Sequence, residues 1–393
     1  MRRAPAEYAA AVTQPEPARR SLTVVQLIPA LDSGGAERTT LEIARALVRA
    51  GHRAVVISAG GRLTERLLAE GGEHIALPIG RKSPATLAQV LPLRRTLRIL
   101  QPDIVHARSR LPAWLALLAM RGLRPRPHLV TTVHGLNSPG AWSSVMIRGE
   151  RVIAVSQTVR DHLQQHYPDL PLTRLRVIPR GVDPDEFPYG YRPDGAWRAA
   201  FFAEFPQLAD APLLTLPGRG TRLKGHAAAL NLLAALHARG IPARLLLLGC
   251  DEPQRAAYVR ELRQQAQALG IAAAVAITPP RADVREVLAI SDLVLQLSRK
   301  PEAFGRTVLE AIALCRPVLG WSHGGVGELL AELYPAGRVP PGDLPKLVER
   351  AAELLRLAPP IAPLHRYRLA DMQQATLAVY RELVPVLDEP GQR

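Results

Sequence analysis

Cysteine, aromatic residues and long apolar runs are all scarce in this 393-residue chain, and each shortage removes a class of protein. Cys250 and Cys315 are too few for a disulfide framework and lack metal-ligand spacing, so a reducing cytoplasm is the expected compartment. Aromatics make up 4% of residues, which leaves no sign of the ring platforms on which single-stranded nucleic acids stack. The longest strongly apolar run, Leu111 to Met120, is half a membrane span, and no transmembrane helix is expected. The histidines do not pair with Cys, Asp or Glu at ligand spacing, so no metal site is expected either. Residues 1–20, polar and rich in Pro, Ala and Arg, read as a disordered leader without the apolar centre of a secretory signal.

What the chain does have is positive charge, concentrated in one half. The formal net charge is +15, and up to Arg180 there are 26 Lys and Arg against 12 Asp and Glu, whereas the remainder is nearly balanced. Arg81-Lys82, Arg94-Arg95-Arg98 and Arg108-Arg110 are local clusters. Such a half favours an anionic partner: a nucleic acid, a phosphorylated glycan or an acidic membrane surface. No nucleic-acid recognition motif accompanies the charge, so nucleic acid is not an expected partner.

Strand-like runs alternate with helix-like ones along the whole length, which predicts α/β layers around parallel sheets. Thr23–Ile28, Ala54–Ile57, His74–Leu77, Asp103–His106, Leu129–Val133 and Val152–Val155 read as strands of a first half. Leu213–Leu216, Arg244–Leu248, Ala274–Ile277, Leu293–Leu297 and Pro317–Gly320 repeat the pattern in a second. The stretch from Pro179 to Pro193, rich in Pro, Gly, Asp and Tyr, is the expected linker, and Tyr367 to Leu387 reads as an amphipathic helix.

The densest chemistry lies in Glu302-Ala303-Phe304-Gly305-Arg306-Thr307-Val308-Leu309-Glu310, where a strand runs through a Gly turn into a helix. Amides around Phe304 and Gly305 at the helix start can receive a phosphate. Glu310, a turn further in, can accept two hydrogen bonds from a vicinal diol such as a ribose, and Glu302 can reach a second polyol. Gly218-Arg219-Gly220 with Lys224-Gly225 sets two cations around a Gly-rich loop at a strand end, which suits a diphosphate. It is not a P-loop, because the Lys precedes its glycine and no Ser or Thr follows to hold magnesium. Gly34 and Gly35 open a helix after the first strand without the G-x-G-x-x-G of a dinucleotide site, and read either as a tight turn or as a ligand loop. His106, with Arg108 two residues on, and His134, before Gly135, both end strands where open α/β sheets place ligands; a structural hydrogen-bonding role is the other reading of each.

Together, Gly34-Gly35-Ala36-Glu37, Val133-His134-Gly135, Val152-Ile153-Ala154-Val155-Ser156, Val177 to Asp183, Gly218-Arg219 with Lys224-Gly225, Glu302 to Glu310 and His323-Gly324-Gly325 resemble the pattern of family 4 of the retaining glycosyltransferases, in the family's order and over almost the whole chain. The resemblance implies a GT-B architecture: two facing Rossmann-like α/β domains with parallel sheets, and a C-terminal helix crossing back to the first. On that basis residues 21–180 form an acceptor-side domain, 181–366 the nucleotide-sugar domain, and 367–393 the crossing helix and tail. The implied activity is metal-independent transfer, with retention, of a hexosyl or N-acetylhexosaminyl group from a UDP or GDP sugar. The acceptor would be a glycan or lipid-linked molecule, as in lipopolysaccharide or other cell-surface polysaccharide synthesis.

By the same resemblance Gly218, Arg219, Lys224, Glu302, Ala303, Phe304, Gly305 and Glu310 hold the donor, and Gly34, Gly35, His106, Arg108 and His134 line the acceptor cleft. His134, Arg219, Lys224 and Glu302 are the expected catalytic group. No cofactor beyond the sugar nucleotide is implied. Peripheral contact with the inner face of an anionic membrane is expected from the charge, and the oligomeric state is left open. Two departures stand out: Gly220 occupies a position where a larger apolar residue is usual, and Cys315 one where Gly is common. The rival readings are a sugar-nucleotide 2-epimerase of the same architecture and a nucleic-acid-binding protein.

Overall fold

Runs of Val, Leu and Ile with little alternation are what strands buried on both faces require, and the computed structural model assembles them into two all-parallel sheets. It describes residues 20–384 except Ser33 and Lys82. The expected leader up to Ala18 and Arg19, the Lys82 half of one basic cluster, and the tail from residue 385 therefore lie outside the described residues.

The first sheet contains β1 (Thr23–Leu27), β2 (Arg53–Ser58), β3 (Glu73–Ala76), β4 (Ile104–Ala107), β5 (His128–Val133), β6 (Arg151–Ala154) and β7 (Leu175–Val177), in the order β3-β2-β1-β4-β5-β6-β7. The second contains β8 (Leu213–Pro217), β9 (Arg244–Leu248), β10 (Val275–Ile277), β11 (Leu293–Gln296), β12 (Val318–Trp321) and β13 (Arg338–Val339), in the order β10-β9-β8-β11-β12-β13. Both orders reverse direction once, between β1 and β4 and between β8 and β11. Ligands of open parallel sheets bind outside the strand ends at such reversals. The edge strands β7 and β13, three and two residues long, are the ones that periodicity did not reveal.

Two crossings join the halves, and they touch. The linker forms an isolated bridge between Val182 and Arg368, with Val182 N donating to Tyr367 O at 2.9 Å and Leu369 N to Val182 O at 2.9 Å. A Cβ on Gly181 would sit 2.4 Å from Arg368 O, so this close approach requires glycine. Beyond it the helix Leu369–Leu383 crosses back onto the first half, as expected. Its Leu369, Met372, Leu377, Val379 and Tyr380 share one buried cluster with Leu41, Ala44 and Leu47 of the helix Gly35–Arg49. Each fully buried side chain of this kind contributes about 1.5–3 kcal/mol, so the crossing helix is an integral part of the first half's core.

The backbone accounts for the glycine at 220, and at 315 it accounts for the usual glycine but not for the cysteine. A Cβ at Gly220 would lie 2.2 Å from Cys250 O, which leaves no room for a larger residue. Cys315 has φ +62, the left-handed region that glycine adopts freely.

Tyr380 is fully buried, and its hydroxyl lies 2.6 Å from His106 Nδ1. Tyr380→Phe leaves that buried ring nitrogen without a partner and should lower the unfolding free energy by about 1–3 kcal/mol. Denaturant unfolding checks this, and an unchanged midpoint would mean the contact carries no stability.

Candidate active site

The second sheet's reversal is flanked by two loops that pack tightly. After β8, Gly225 has φ +82, and a Cβ there would fall 2.0 Å from Leu297 O at the end of β11; only glycine allows the approach. The approach brings Lys224 to Glu302, Nζ to Oε1 at 2.6 Å, with both side chains about a quarter exposed, 27% and 23%. Ser298 donates its hydroxyl to the same Glu302 oxygen, and His323 Nε2 meets Ser298 O at 2.9 Å. Arg219 is exposed, and its guanidinium makes no hydrogen bond or ion pair among the described residues. The predicted donor loops thus meet, with one cation committed to Glu302 and the other open to solvent.

Phe304 is buried, and Gly305, with φ +112, precedes the helix Arg306–Ala313. Gly325 packs under this turn, since a Cβ there would lie 2.4 Å from Phe304 Cα. Ala303 O accepts a hydrogen bond from Ser156 Oγ of the first half at 2.6 Å. Glu328 accepts from the backbone amides of Gln157 and Thr158 at 3.1 and 3.0 Å, placing its carboxylate on the start of the helix Gln157–His166. Glu328 was not foreseen as a seam residue.

Glu310 has 8% of its side chain exposed and meets two guanidinium groups: Arg38 of the first half at 3.0 Å and Arg306 of its own helix at 3.2 Å. Burial raises its pKa above the ordinary carboxylate value, and the two arginines pull the other way without overcoming it. Arg306 also pairs with Glu42 of the first half. Burial alone would lower the Arg306 pKa, yet the Glu42 and Glu310 carboxylates hold it above the usual value. Sequence reasoning missed Arg38, Glu42 and Arg306 as site residues. Each lies in a quoted or neighbouring motif, but only tertiary packing makes them partners.

In the first half, Arg180 Nη2 donates to His134 Nδ1 at 2.8 Å. A guanidinium has no acceptor, so Nδ1 must offer its lone pair, and the neutral ring carries its proton on Nε2. That Nε2 is buried without a partner among the described residues, as are Glu42 Oε2 and Arg306 Nη1. Burial first, then Arg180 and Arg108, push the His134 pKa well below its ordinary value. Burial also draws Arg180 down to about 9.

Two expected cleft residues need correction. His106 is completely buried, with its ring nitrogens on Tyr380 Oη and Thr132 Oγ1 at 2.6 and 2.7 Å. Arg108 is 3% exposed, and its Nε donates to Gln26 Oε1 at 2.8 Å. Both sit beneath the strand ends as core polar groups, because β4 is a central strand covered on both faces. Gly34 and Gly35 begin the helix that carries Arg38, and a Cβ on Gly35 would meet nothing within 4 Å. A cavity of about 480 Å³ lies beyond Gly225, lined by Arg222, Tyr258, Arg299, Trp321 and His323, but none of Arg219, Glu302 or Glu310 lines it. Among the described residues no three His, Cys, Asp or Glu side chains form a group able to hold a metal ion.

Two parallel sheets with separate reversal points, joined by a paired crossing and a returning C-terminal helix, define a GT-B protein. The chain belongs to glycosyltransferase family 4: the family model described as Glycosyltransferase Family 4 matches residues 33–186, and the one described as Glycosyl transferases group 1 matches 199–367. The chain is similar to a glycosyltransferase structure from Rickettsia africae, with TM-score 0.82, 26% identity and coverage of 93% of this chain and 99% of that one. It shares its fold with the Anabaena protein Alr3699/HepE solved with UDP-glucose, at TM-score 0.74, 21% identity and coverage of 92% of this chain and 100% of that one. Among curated sequences, a D-inositol 3-phosphate glycosyltransferase of Rhodococcus jostii is 33% identical over 187 residues, covering 47% of this chain. The match spans only 40% of that relative's own length.

The His134–Arg180 pair predicts that His134 stays neutral, as the Nε2–H tautomer, well below pH 6.5. Nitrogen-15 NMR of the imidazole through a pH titration checks this. A normal midpoint near 6.5 would contradict the Arg-pinned ring with its buried Nε2.

Proposed function

We propose that this protein transfers a sugar from a nucleotide-diphosphate sugar to a glycan or lipid-linked acceptor, with retention and without a metal. The carrying observation is the Lys224–Glu302 pair at one end of the loop whose other end leads to Glu310, beside an exposed Arg219. An ammonium has three donors, so Lys224 can keep Glu302 and still meet a phosphate oxygen. Arg219 supplies the second cation for the diphosphate, Glu310 the acceptor for a ribose diol, and Glu302 the acceptor for sugar hydroxyls. Amides of Ala303, Phe304 and Gly305 face the phosphate and sugar. The Anabaena protein of this fold was solved with UDP-glucose, which makes UDP sugars the first donors to try, with GDP sugars second.

In the reaction the bond from the anomeric carbon to the diphosphate oxygen breaks, and a bond to the acceptor oxygen forms on the same face. The acceptor's proton passes to the departing diphosphate oxygen. Arg219 and Lys224 stabilise the charge that develops there. His134 acts as a hydrogen-bond donor through Nε2 toward sugar or acceptor oxygen, because its Nδ1 lone pair is already engaged by Arg180. A general-base role is thereby disfavoured.

The acceptor is proposed to be membrane-linked, in cell-surface polysaccharide synthesis such as that of lipopolysaccharide, with the protein docking peripherally at the cytoplasmic leaflet. Among the described residues no helix is long and apolar enough to cross a membrane. On the helix Val90–Leu100, Leu91, Arg95, Arg98 and Ile99 are exposed at spacings that share one face. Apolar side chains flanked by cations suit an acidic interface. Not every residue of the predicted basic clusters is available: Arg94 is spent on the carbonyls of Leu118, Ala119 and Arg121, and Arg108 is buried.

Donor turnover should fall at least about a hundredfold in Arg219→Ala and in Lys224→Ala, the scale of losing a charge-stabilising donor, and should survive EDTA. Release of nucleoside diphosphate with and without an acceptor checks this. Abolition by EDTA with rescue by magnesium, or epimerised sugar nucleotide formed without acceptor, would contradict the proposal. For docking, co-sedimentation with phosphatidylserine vesicles should be lost in the Leu91→Ser, Ile99→Ser double variant and at 1 M salt, where the Debye length is about 3 Å. Equal binding to neutral vesicles would contradict electrostatic docking.

A further inference from the structure

Arg38 and Glu42 lie one turn apart on the helix Gly35–Arg49, and Arg306 and Glu310 one turn apart on the helix Arg306–Ala313. The two helices meet with charges crossed, Arg38 on Glu310 and Arg306 on Glu42. Both guanidinium groups that reach Glu310 use the same oxygen: Arg38 Nη1 is 3.0 Å and Arg306 Nε 3.2 Å from Oε1. A carboxylate oxygen offers about two lone-pair directions. Oε1 is therefore full, while Oε2 accepts no hydrogen bond among the described residues. A vicinal diol gripped by both oxygens needs one guanidinium to leave.

The two arginines are not equally free to go. The Arg306 side chain is 17% exposed and is tied to Glu42, itself 10% exposed. The Arg38 side chain is 31% exposed and already holds a second partner, Glu186, at 2.8 Å. Glu186 is 43% exposed and lies in the linker. Arg38 can therefore release Glu310 and keep an ionic partner; Arg306 cannot move without stranding a buried charge.

We infer that Arg38 is a positioning residue that occupies the ribose place on Glu310 and yields it to the diol of a nucleoside diphosphate by moving onto Glu186. This rests on the proposed role of Glu310 as the ribose acceptor. In the exchange Glu310 loses one cationic donor and gains two hydroxyl donors, and no charge is left alone. The seam stays closed meanwhile through Arg306–Glu42, Ser156–Ala303 and Glu328 on the helix Gln157–His166. Only a side chain has to move. Nucleotide affinity is then the intrinsic affinity reduced by competition from Arg38, and Glu186 sets how strongly Arg38 competes.

The experiment is calorimetric titration of UDP and GDP, and of their 2′-deoxy counterparts, into the full-length protein and its variants. Arg38→Gln should tighten the ribonucleotide that binds by about fivefold or more, the low end of coupling between linked contacts. The gain should shrink for the 2′-deoxy form and vanish in the Arg38→Gln, Glu310→Gln double variant. Arg38→Lys should restore wild-type affinity. Glu186→Gln, at an exposed position that folding tolerates, should shift affinity the other way and weaken binding. Weaker or unchanged binding in Arg38→Gln, or tighter binding in Glu186→Gln, would overturn the inference. If Glu310→Gln leaves affinity intact, or neither nucleotide binds wild type, the ribose role fails and the exchange with it. If affinity responds to Glu310 but not to Arg38, only the exchange fails.

Discussion

A carboxylate that is almost wholly buried needs charged partners to stay ionised, and Glu310 takes one from each half of the molecule. That requirement couples the two sheets. Because Arg38 and Glu42 repeat at the same spacing as Arg306 and Glu310, the helices dock by exchanging partners. The arrangement sets how the strand ends of one sheet face those of the other. Removing one partner of the mostly buried Arg306–Glu42 pair should cost about 3–5 kcal/mol, since the other charge is left uncompensated, whereas the more exposed Arg38 has Glu186 as a second partner and leaves Glu310 with Arg306. The seam is held further by Ser156 on Ala303 and by Glu328 on two backbone amides, contacts that depend on the same docking angle.

The seam is also incompletely satisfied. Glu42 Oε2, Arg306 Nη1 and His134 Nε2 are buried polar atoms without partners among the described residues. Buried polar groups are ordinarily hydrogen-bonded, so these atoms mark where bound polar groups or water would be most stabilised. His134 contributes a donor there, because Arg180 consumes its other nitrogen. The basic character of the first half divides into two uses. Arg94, Arg108 and Arg180 serve the fold or the seam, while Arg95 and Arg98 remain on an exposed face with Leu91 and Ile99.

Much of the fold was legible because strands buried on both faces leave continuous apolar runs; β1 and β5, for instance, lie within a residue of the expected bounds. β7 and β13 were not, since two or three residues carry no period. The loop carrying Glu302 and Glu310 was visible because its glycine, carboxylates and flanking strand and helix lie within one segment. The meeting of Lys224 with Glu302 follows from that loop order, but the crossed pairing of Arg38 and Arg306 does not. Along the sequence each arginine looks like half of an ordinary i, i+4 helix pair, and only docking adds a partner on the second helix, Glu310 for Arg38 and Glu42 for Arg306. His106 illustrates the opposite error: a strand-end histidine faces a cleft in one geometry and a core in another, and Tyr380, 274 residues away, decides which.

Whether Glu302, Glu310, Arg219 and Lys224 form one donor grip is decided by a crystal structure of the complex with a nucleoside diphosphate. Both ribose hydroxyls should lie within hydrogen-bond distance of the Glu310 carboxylate, with the diphosphate between Arg219 and Lys224. A nucleotide seated elsewhere, or one in this cleft whose ribose avoids Glu310 and whose phosphates avoid both cations, would contradict it.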